Sequence, residues 1–593
     1  MPHPDALAGA LAEVDAIFDR FAASDAVPGF AYGIVVNGEL VHSGGRGTLR
    51  AGAAVTPNAD SVFRIASMTK SFTAATVMLL RDEGRLRLDD PVATWVPELA
   101  GLVPWSRDSA PMTIESLLTM SAGLPTDDPW GDRLQDQDPS DFLAFLTAGP
   151  GLLWPVGTHF EYANLGFAIL GLIIGRVTGD DYRAIVERRI LEPLGMASTT
   201  FTSESVRRDR LALGYVRRND LWIDEPMAGH GAFAPMGGLF TSVRDLARWV
   251  GGFTAAFPPR DDDPGGPDRH PLSRATRREM QQLHRPTSPD LTWESAGSVP
   301  SATIGGYGYG LFAYLDLTVG RIVAHGGGYP GFGSHMRWHP ATGIGVVGLA
   351  NARYGGIVEP TREALRLLIE RGVAPVHRPI PWPATDEARL AVERLLEAWD
   401  DDLAAGLFAP NVALDEDLSS RRAAVAGLRA EHGRLRDDEA TPVERWSAAH
   451  LAWWLNGERG RVRVEILMSP DRPPRVQSLI LTSVPAPSAA LTAHAARIVG
   501  LLDARGPAWP NEIPLADDVD RPALDRELRA AEALFGPVTL GPPTAGDGAM
   551  TADWLLQGDR GDLTLTVELE KADGPIAKVS LVPVSLESPV HLA

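Results

Sequence analysis

The chain has 593 residues with 60 Gly, 48 Pro and no Cys; at roughly 150 residues per domain this means several domains, and the missing thiols exclude a disulfide framework, a thiol nucleophile and zinc–thiolate or iron–sulfur sites. Apolar residues at 44% and charged residues at 22% are globular values that exclude wholesale disorder and a fibrous chain. The 55 basic and 76 acidic residues give a net charge of −21, which repels a phosphate backbone where no basic patch compensates, so no nucleic-acid partner is expected.

The opening Met1-Pro2-His3-Pro4-Asp5 has no basic region, and the Ala/Leu stretch after it is interrupted by Glu13, Asp15, Asp19 and Arg20, which predicts no secretory signal. The longest apolar run, Leu165 to Ile174, falls well short of the roughly 20 residues that span a bilayer. The expectation is a soluble, cytoplasmic protein with no membrane partner.

In chain order, residues 6–22 predict an amphipathic helix, and Phe30 to Val36, the turn Asn37-Gly38 and Glu39 to His42 predict a β-hairpin. Ser67-Met68-Thr69-Lys70 then opens the apolar helical run Phe72 to Leu80, and residues three apart share a helix face, so the hydroxyl and the amine are neighbours. Composition sharpens this signal. Only Lys70, Lys571 and Lys578 are lysines among the 55 basic residues, and an amine can lose its proton where a guanidinium cannot.

Tyr162-Ala163-Asn164 follows Pro155 and Gly157 and precedes the apolar run from Leu165. A tyrosine and an asparagine capping a helix account for this pattern. So does a phenol whose pKa is lowered by a nearby ammonium, beside an amide that orients a substrate carbonyl. Pro258 to Pro271, with five prolines and Asp261-Asp262-Asp263, predicts a mobile surface loop. Arg321 to His325, Ser334 to Trp338 and Ile344 to Leu349 predict strands, and Thr361 to Arg371 a helix. His325-Gly326-Gly327-Gly328 ends the first of these strands; such a glycine run is commonly a turn, and it also lets a substrate backbone approach a strand edge.

The predicted class is α/β (α+β): residues 1–375 form an antiparallel sheet built from both ends of a domain, with a helical region inserted and a helix on each face. Pro375, Pro379, Pro381 and Pro383 mark a linker over 376–385. Beyond it the chain repeats with an offset of about 100 residues: Trp453-Trp454-Leu455-Asn456-Gly457 resembles Trp554-Leu555-Leu556-Gln557-Gly558. Two small tandem α+β domains, 386–486 and 487–593, are expected. Trp130, Trp154, Tyr307, Tyr309, Tyr329 and Phe332 flank the motifs and fit either an acyl pocket or the core. His335 and His339 lack an acidic companion, so no metal site is expected, and Asp400-Asp401-Asp402 reads as a solvated helix face.

Ser67-x-x-Lys70, Tyr162-x-Asn164 and His325-Gly326, in this order, resemble the serine β-lactamase and penicillin-binding-protein superfamily, in the branch of class C β-lactamases, family VIII esterases and D-aminopeptidases. The resemblance covers roughly residues 15–372, including Phe63-Arg64-Ile65-Ala66, Leu117 to Pro125 and Gly237 to Ser242, and implies a β-lactamase-like sandwich. It implies Ser67 as the acylated nucleophile, Lys70 as its proton acceptor, Tyr162 as a proton shuttle and Asn164 as a contact to the substrate amide. The backbone N–H groups of Ser67 and Gly328 would form an oxyanion hole. His325 stands where penicillin-recognising members carry Lys-Thr-Gly and offers a weaker, pH-dependent charge, which favours esterase or D-amino-acid peptidase chemistry over β-lactamase activity. The implied substrate is a small-molecule or short-peptide ester or amide, with no metal or organic cofactor; acyl transfer, β-lactam hydrolysis and a non-enzymatic binding scaffold are the alternatives.

Overall fold

The computed structural model describes residues 4–259, 268–287, 289–292, 301–316, 319–503, 509, 513–558 and 561–584. The chain forms two compact units whose main boundary falls between His377 and Arg378.

In the first unit the expected hairpin forms: strands Gly29–Val36 and Glu39–Gly47 are joined by Asn37 and Gly38, both at positive φ (51° and 86°), which matches the right-handed twist of the flanking strands. The sheet runs Glu39–Gly47, Gly29–Val36, Ile344–Ala350, Phe332–His339, Gly320–Tyr329, Phe312–Asp316, Ser301–Tyr307, Arg285–Pro286, so the sheet's first strand in sequence pairs antiparallel with its last, Phe30 opposite Ala350. Strands Gly29–Val36, Phe332–His339 and Ile344–Ala350 are buried along their whole length because both faces of the sheet are covered. One face packs on helix Val243–Thr254, where a Cβ on Gly345 would meet Val250. The other packs on helices Val358–Glu370 and Pro4–Ala23: a Cβ on Gly348 would meet Ile357 and Thr361, and Phe18 stacks on Tyr32 at 3.7 Å.

The inserted helical region is organised by helices Thr69–Asp82 and Asn164–Thr178. Strands Phe312–Asp316 and Ser301–Tyr307 extend the sheet beyond the expected set. Residues 260–267 of the proline-rich segment expected as a mobile loop lie outside the described residues.

The second unit holds two successive helix-then-sheet assemblies. In the first, helix Pro383–Glu397 begins inside the segment expected as linker, with Pro383 in the first helical position, where its missing N–H costs nothing. It packs with a five-stranded sheet whose longer strands are His450–Gly457, Gly460–Met468 and Val476–Pro485. In the second, helices Ala489–Asp503 and Arg521–Phe535 cover the meander Val538–Gly546, Thr551–Gly558, Gly561–Leu569, Ile576–Pro583. The repeated tryptophans occupy matching places, Trp453 and Trp554 each buried in its own core. The two sheets are separate, and Arg461 of the first donates to the Pro543 carbonyl of the second at 3.0 Å. Asp400, expected on a solvated helix face, instead caps helix Asp401–Leu407 by accepting from the Asp402 and Leu403 N–H groups.

Candidate active site

Strand Val62–Arg64 runs into the tight turn Ala66–Met68 and then directly into helix Thr69–Asp82. Ala66 has φ 46°, a left-handed conformation uncommon for a residue with a Cβ. From Ser61 to Leu80 every residue is buried except Ser67. The turn therefore delivers a single hydroxyl to the surface of an otherwise closed segment.

Lys70, one helical turn on, is completely buried, and its Nζ lies 2.9 Å from Ser67 Oγ, 2.7 Å from Asn164 Oδ1 and 3.0 Å from the Met236 carbonyl oxygen. Burial lowers its pKa to about 8, against the pull of Asp128, Asp127 and Asp132, which favour the charged form. As an ammonium, Lys70 donates to all three partners. As a neutral amine it keeps two N–H bonds to the two carbonyl oxygens, which can only accept, and its lone pair faces the Ser67 hydroxyl.

Asn164 opens helix Asn164–Thr178, but the cap of that helix comes from elsewhere: the Asp127 carboxylate accepts from the Asn164 and Leu165 N–H groups at 2.6 and 2.8 Å. This frees the Asn164 side chain, whose Oδ1 accepts from Lys70 and whose Nδ2 donates to Asp128 at 2.7 Å. Asn164 is fully buried and engaged at both ends of its amide, an arrangement that positions Lys70.

Tyr162 places its ring 4.9 Å from Lys70 Nζ, and its phenol interacts with Ser67. Its pKa is raised, not lowered as the nearby ammonium suggested. Desolvation is the main cause, with the Asp128, Asp132 and Asp127 carboxylates adding to it, so Tyr162 is a neutral phenol.

His325 also departs from expectation. Its Nδ1 faces the Gly326 carbonyl at 2.6 Å and so carries the proton, leaving Nε2 to accept from Tyr307 OH at 3.1 Å. Burial, with Lys70 nearby, lowers its pKa to about 3, so the pH-dependent charge expected of it is absent at neutral pH. The glycines after it lie within strand Gly320–Tyr329. A Cβ on Gly327 would stand 2.1 Å from the Ile65 carbonyl oxygen and one on Gly328 2.1 Å from the Tyr354 ring, whereas one on Gly326 would meet nothing closer than 3.8 Å. Strand Phe312–Asp316 is half as long as its neighbour Gly320–Tyr329.

Of the flanking aromatics, only Tyr307 joins the site. Tyr309 stacks on His284 at 4.0 Å, Tyr329 lies against the Arg64 guanidinium at 4.4 Å, Phe332 is core, Trp130 packs on Phe145 and Phe233, and Trp154 stacks on His159. His335 bonds Thr361 and His339 bonds Thr342. Residues that no motif announced complete the site: Phe312 and Phe160 beside Tyr307, and Asp127, Asp128 and Asp132 around Lys70. Asp132, largely buried and accepting from Tyr354 OH at 2.7 Å, is pushed up to about 6 by its burial. A buried lysine needs acidic company, and the pair Asp127-Asp128 shortly after Leu124-Pro125 is the signal that could have located it.

The family described as Beta-lactamase matches residues 14–370. Among curated proteins, "Protein flp" of Staphylococcus aureus (strain NCTC 8325 / PS 47) is 26% identical over 344 residues, 57% of this chain and 62% of that protein. "Beta-lactamase-like protein 2" of Dictyostelium discoideum is 30% identical over 245 residues, 40% of this chain and 44% of that protein. The chain thus spans less than two thirds of the length of these relatives. Among solved structures, the octameric penicillin-binding protein homologue from Pyrococcus abyssi shares the fold, with a TM-score of 0.51 at 19% identity over 97% of this chain and 98% of that one.

Proposed function

The chain belongs to the Beta-lactamase family over residues 14–370, and on that premise we propose that it is a serine acyl hydrolase, of esterase, amidase or D-amino-acid peptidase type, working through an acyl-Ser67 intermediate. The observation that carries this reading is the set of Lys70 contacts: two obligate acceptors hold the amine so that, once neutral, its lone pair points at the hydroxyl of the one accessible residue in a buried run. Lys70 takes the Ser67 proton as Oγ attacks the ester or amide carbon, and the carbonyl oxygen gathers negative charge against the Ser67 and Gly328 N–H groups. The neutral Tyr162 phenol hands a proton to the leaving alkoxide or amine as the carbonyl–heteroatom bond breaks, and the Lys70 ammonium restores it. Water then attacks the acyl-enzyme with the same groups in reverse; an amine or alcohol in its place gives acyl transfer.

The neutral, buried His325 lacks the cation that holds a β-lactam carboxylate in penicillin-recognising relatives, which favours esters and amides over β-lactams. The test is fluorophosphonate labelling together with turnover of short-chain aryl esters, D- and L-amino-acid amides and a chromogenic cephalosporin by wild type and Ser67→Ala. Labelling at Ser67 and ester or D-amide turnover lost in Ser67→Ala are expected. Absence of labelling overturns the nucleophile, and rapid cephalosporin turnover overturns the substrate preference.

A further inference from the structure

Phe312 stands directly opposite Tyr307, and Tyr307 directly opposite Arg285, across three adjacent strands. Side chains opposite one another in antiparallel pairs project from the same face. Tyr307 identifies that face as the one on the reacting centre, since its hydroxyl bonds His325 Nε2 and its ring lies 6.3 Å from Tyr162 and 5.9 Å from Phe160. The aromatic row that begins at Tyr162 therefore ends, one strand spacing (~4.8 Å) beyond Tyr307, on a guanidinium. That guanidinium leans back toward the segment leading into Tyr162: a Cβ on Gly157 would lie 3.9 Å from Arg285 Nη2.

Arg285 is unusual in this acid-rich chain. Its Nε is buried with no acceptor, and among the described residues no carboxylate pairs with it. By contrast, Arg176 holds Glu98 in a two-pronged pair and Arg133 holds Glu225. A partly buried guanidinium with an unmet N–H is stabilised by any acceptor that arrives. The opposite end of the site has the opposite sign, because Asp127, Asp128 and Asp132 gather there around Lys70, and His325 between the two ends carries no charge. An anionic group on a substrate is thus repelled from one end of the aromatic row and drawn to the other.

We infer that Arg285 is the anion-recognising subsite of this centre, taking the carboxylate of a substrate in which an aromatic or apolar spacer, laid along Phe160, Tyr307 and Phe312, separates that carboxylate from the ester or amide bond at Ser67. This rests on the reading of Ser67 as the acylated nucleophile. The probes are the 4-nitrophenyl ester of terephthalic acid, which keeps one free carboxylate at the end of a rigid ring, and the same compound with that carboxylate methylated. Wild type is expected to favour the free acid at least about 10-fold in kcat/KM, chiefly through KM, with a preference that shrinks as salt is raised. Arg285→Met removes the preference, and Arg285→Lys restores part of it. A wild-type ratio near one, or a ratio unchanged in Arg285→Met, overturns the subsite. Binding of 4-acetylbenzoate to Ser67→Ala, measured by calorimetry with and without Arg285→Met, separates the two claims. Binding that depends on Arg285 while the wild type turns over neither probe discards the hydrolase reading and keeps the subsite. Equal binding in the two variants discards the subsite alone.

Discussion

The Asn164 carbonyl oxygen accepts from Lys70 Nζ at 2.7 Å, and that contact fixes the direction of the whole amide, because an ammonium can only donate. The amide nitrogen is thereby committed to Asp128, which is also the foremost of the three carboxylates that keep the Lys70 pKa from falling further on burial. In the proposed mechanism Lys70 works as a base only when neutral, so the kcat/KM of an activated ester is expected to rise with pH through a limb near pH 8. Asp128→Asn removes a negative charge that favours the ammonium; the Lys70 pKa drops, and the limb moves to lower pH. A pH–rate profile that stays in place, or moves upward, removes Asp128 from the circuit.

Lys70→Arg tests the base directly. A guanidinium does not give up its proton in proteins, and its planar fork does not fit the three acceptors around Nζ. General-base assistance is worth on the order of 10²–10⁴ in rate, so acylation is expected to slow by at least about 100-fold. The larger group in a fully buried site costs about 1–3 kcal/mol of stability without unfolding the chain. Pre-steady-state acylation beside a thermal melt decides it. Near-normal acylation in a folded variant means that another group, Tyr162 first, is the base.

Gly327 brings strand Gly320–Tyr329 against the segment leading into the Ser67 turn. A Cβ there would stand 2.1 Å from the Ile65 carbonyl oxygen and 2.3 Å from Ser334 Oγ, which itself donates to Ile65 at 2.8 Å. Gly327→Ala must push the turn away, at about 1–3 kcal/mol, and acylation falls by at least about 10-fold as the oxyanion donors separate. Gly326→Ala, with no atom nearer than 3.8 Å, is expected to melt close to wild type. Equal losses of stability in the two variants would contradict this packing.

Three desolvated histidines make the fold sensitive to acid. His270, His325 and His335 all have pKa values lowered by burial, so each is neutral in the fold, whereas an unfolded histidine takes up a proton near pH 6.5. Below that pH the unfolded chain binds more protons, and stability falls as pH drops from about 6.5 toward the folded values. Thermal melts between pH 4 and 8 are expected to decline below pH 6.5. His325→Gln, which can still bond Tyr307 but has nothing to protonate, is expected to decline less steeply; an unchanged slope would remove His325 from the account.

The order of these events along the chain explains what was legible in the sequence. The hydroxyl–amine pair follows from spacing alone, although Ser67 sits in the turn before the helix, and the Asn37-Gly38 hairpin follows from the two positive φ values its turn requires. The antiparallel sheet with its inserted helices was likewise readable from alternation at both ends of the domain. Contacts between distant segments were not: no local pattern links Asp128 to Asn164, or the Met236 carbonyl to Lys70. Strands Ser301–Tyr307 and Phe312–Asp316 escape because Gly305, Gly306, Gly308 and Gly310 break the alternation around them. The ionisation of Tyr162 differs from expectation because spacing brings only the Lys70 ammonium to mind, while burial, which no motif encodes, dominates, with the Asp128, Asp132 and Asp127 carboxylates adding to it.

In the first unit's sheet, the pairing of the earliest strand with the latest bears on how the protein is made. Gly29–Val36 is buried along all its length in the finished sheet, yet its partner Ile344–Ala350 is translated roughly 300 residues later, on the order of 15–60 s at 5–20 residues per second. Until then the strand has only its hairpin neighbour, and its other edge stands open to any nascent chain nearby. A ribosome that stalls before Ala350 therefore leaves behind an adhesive fragment in place of a partly folded domain.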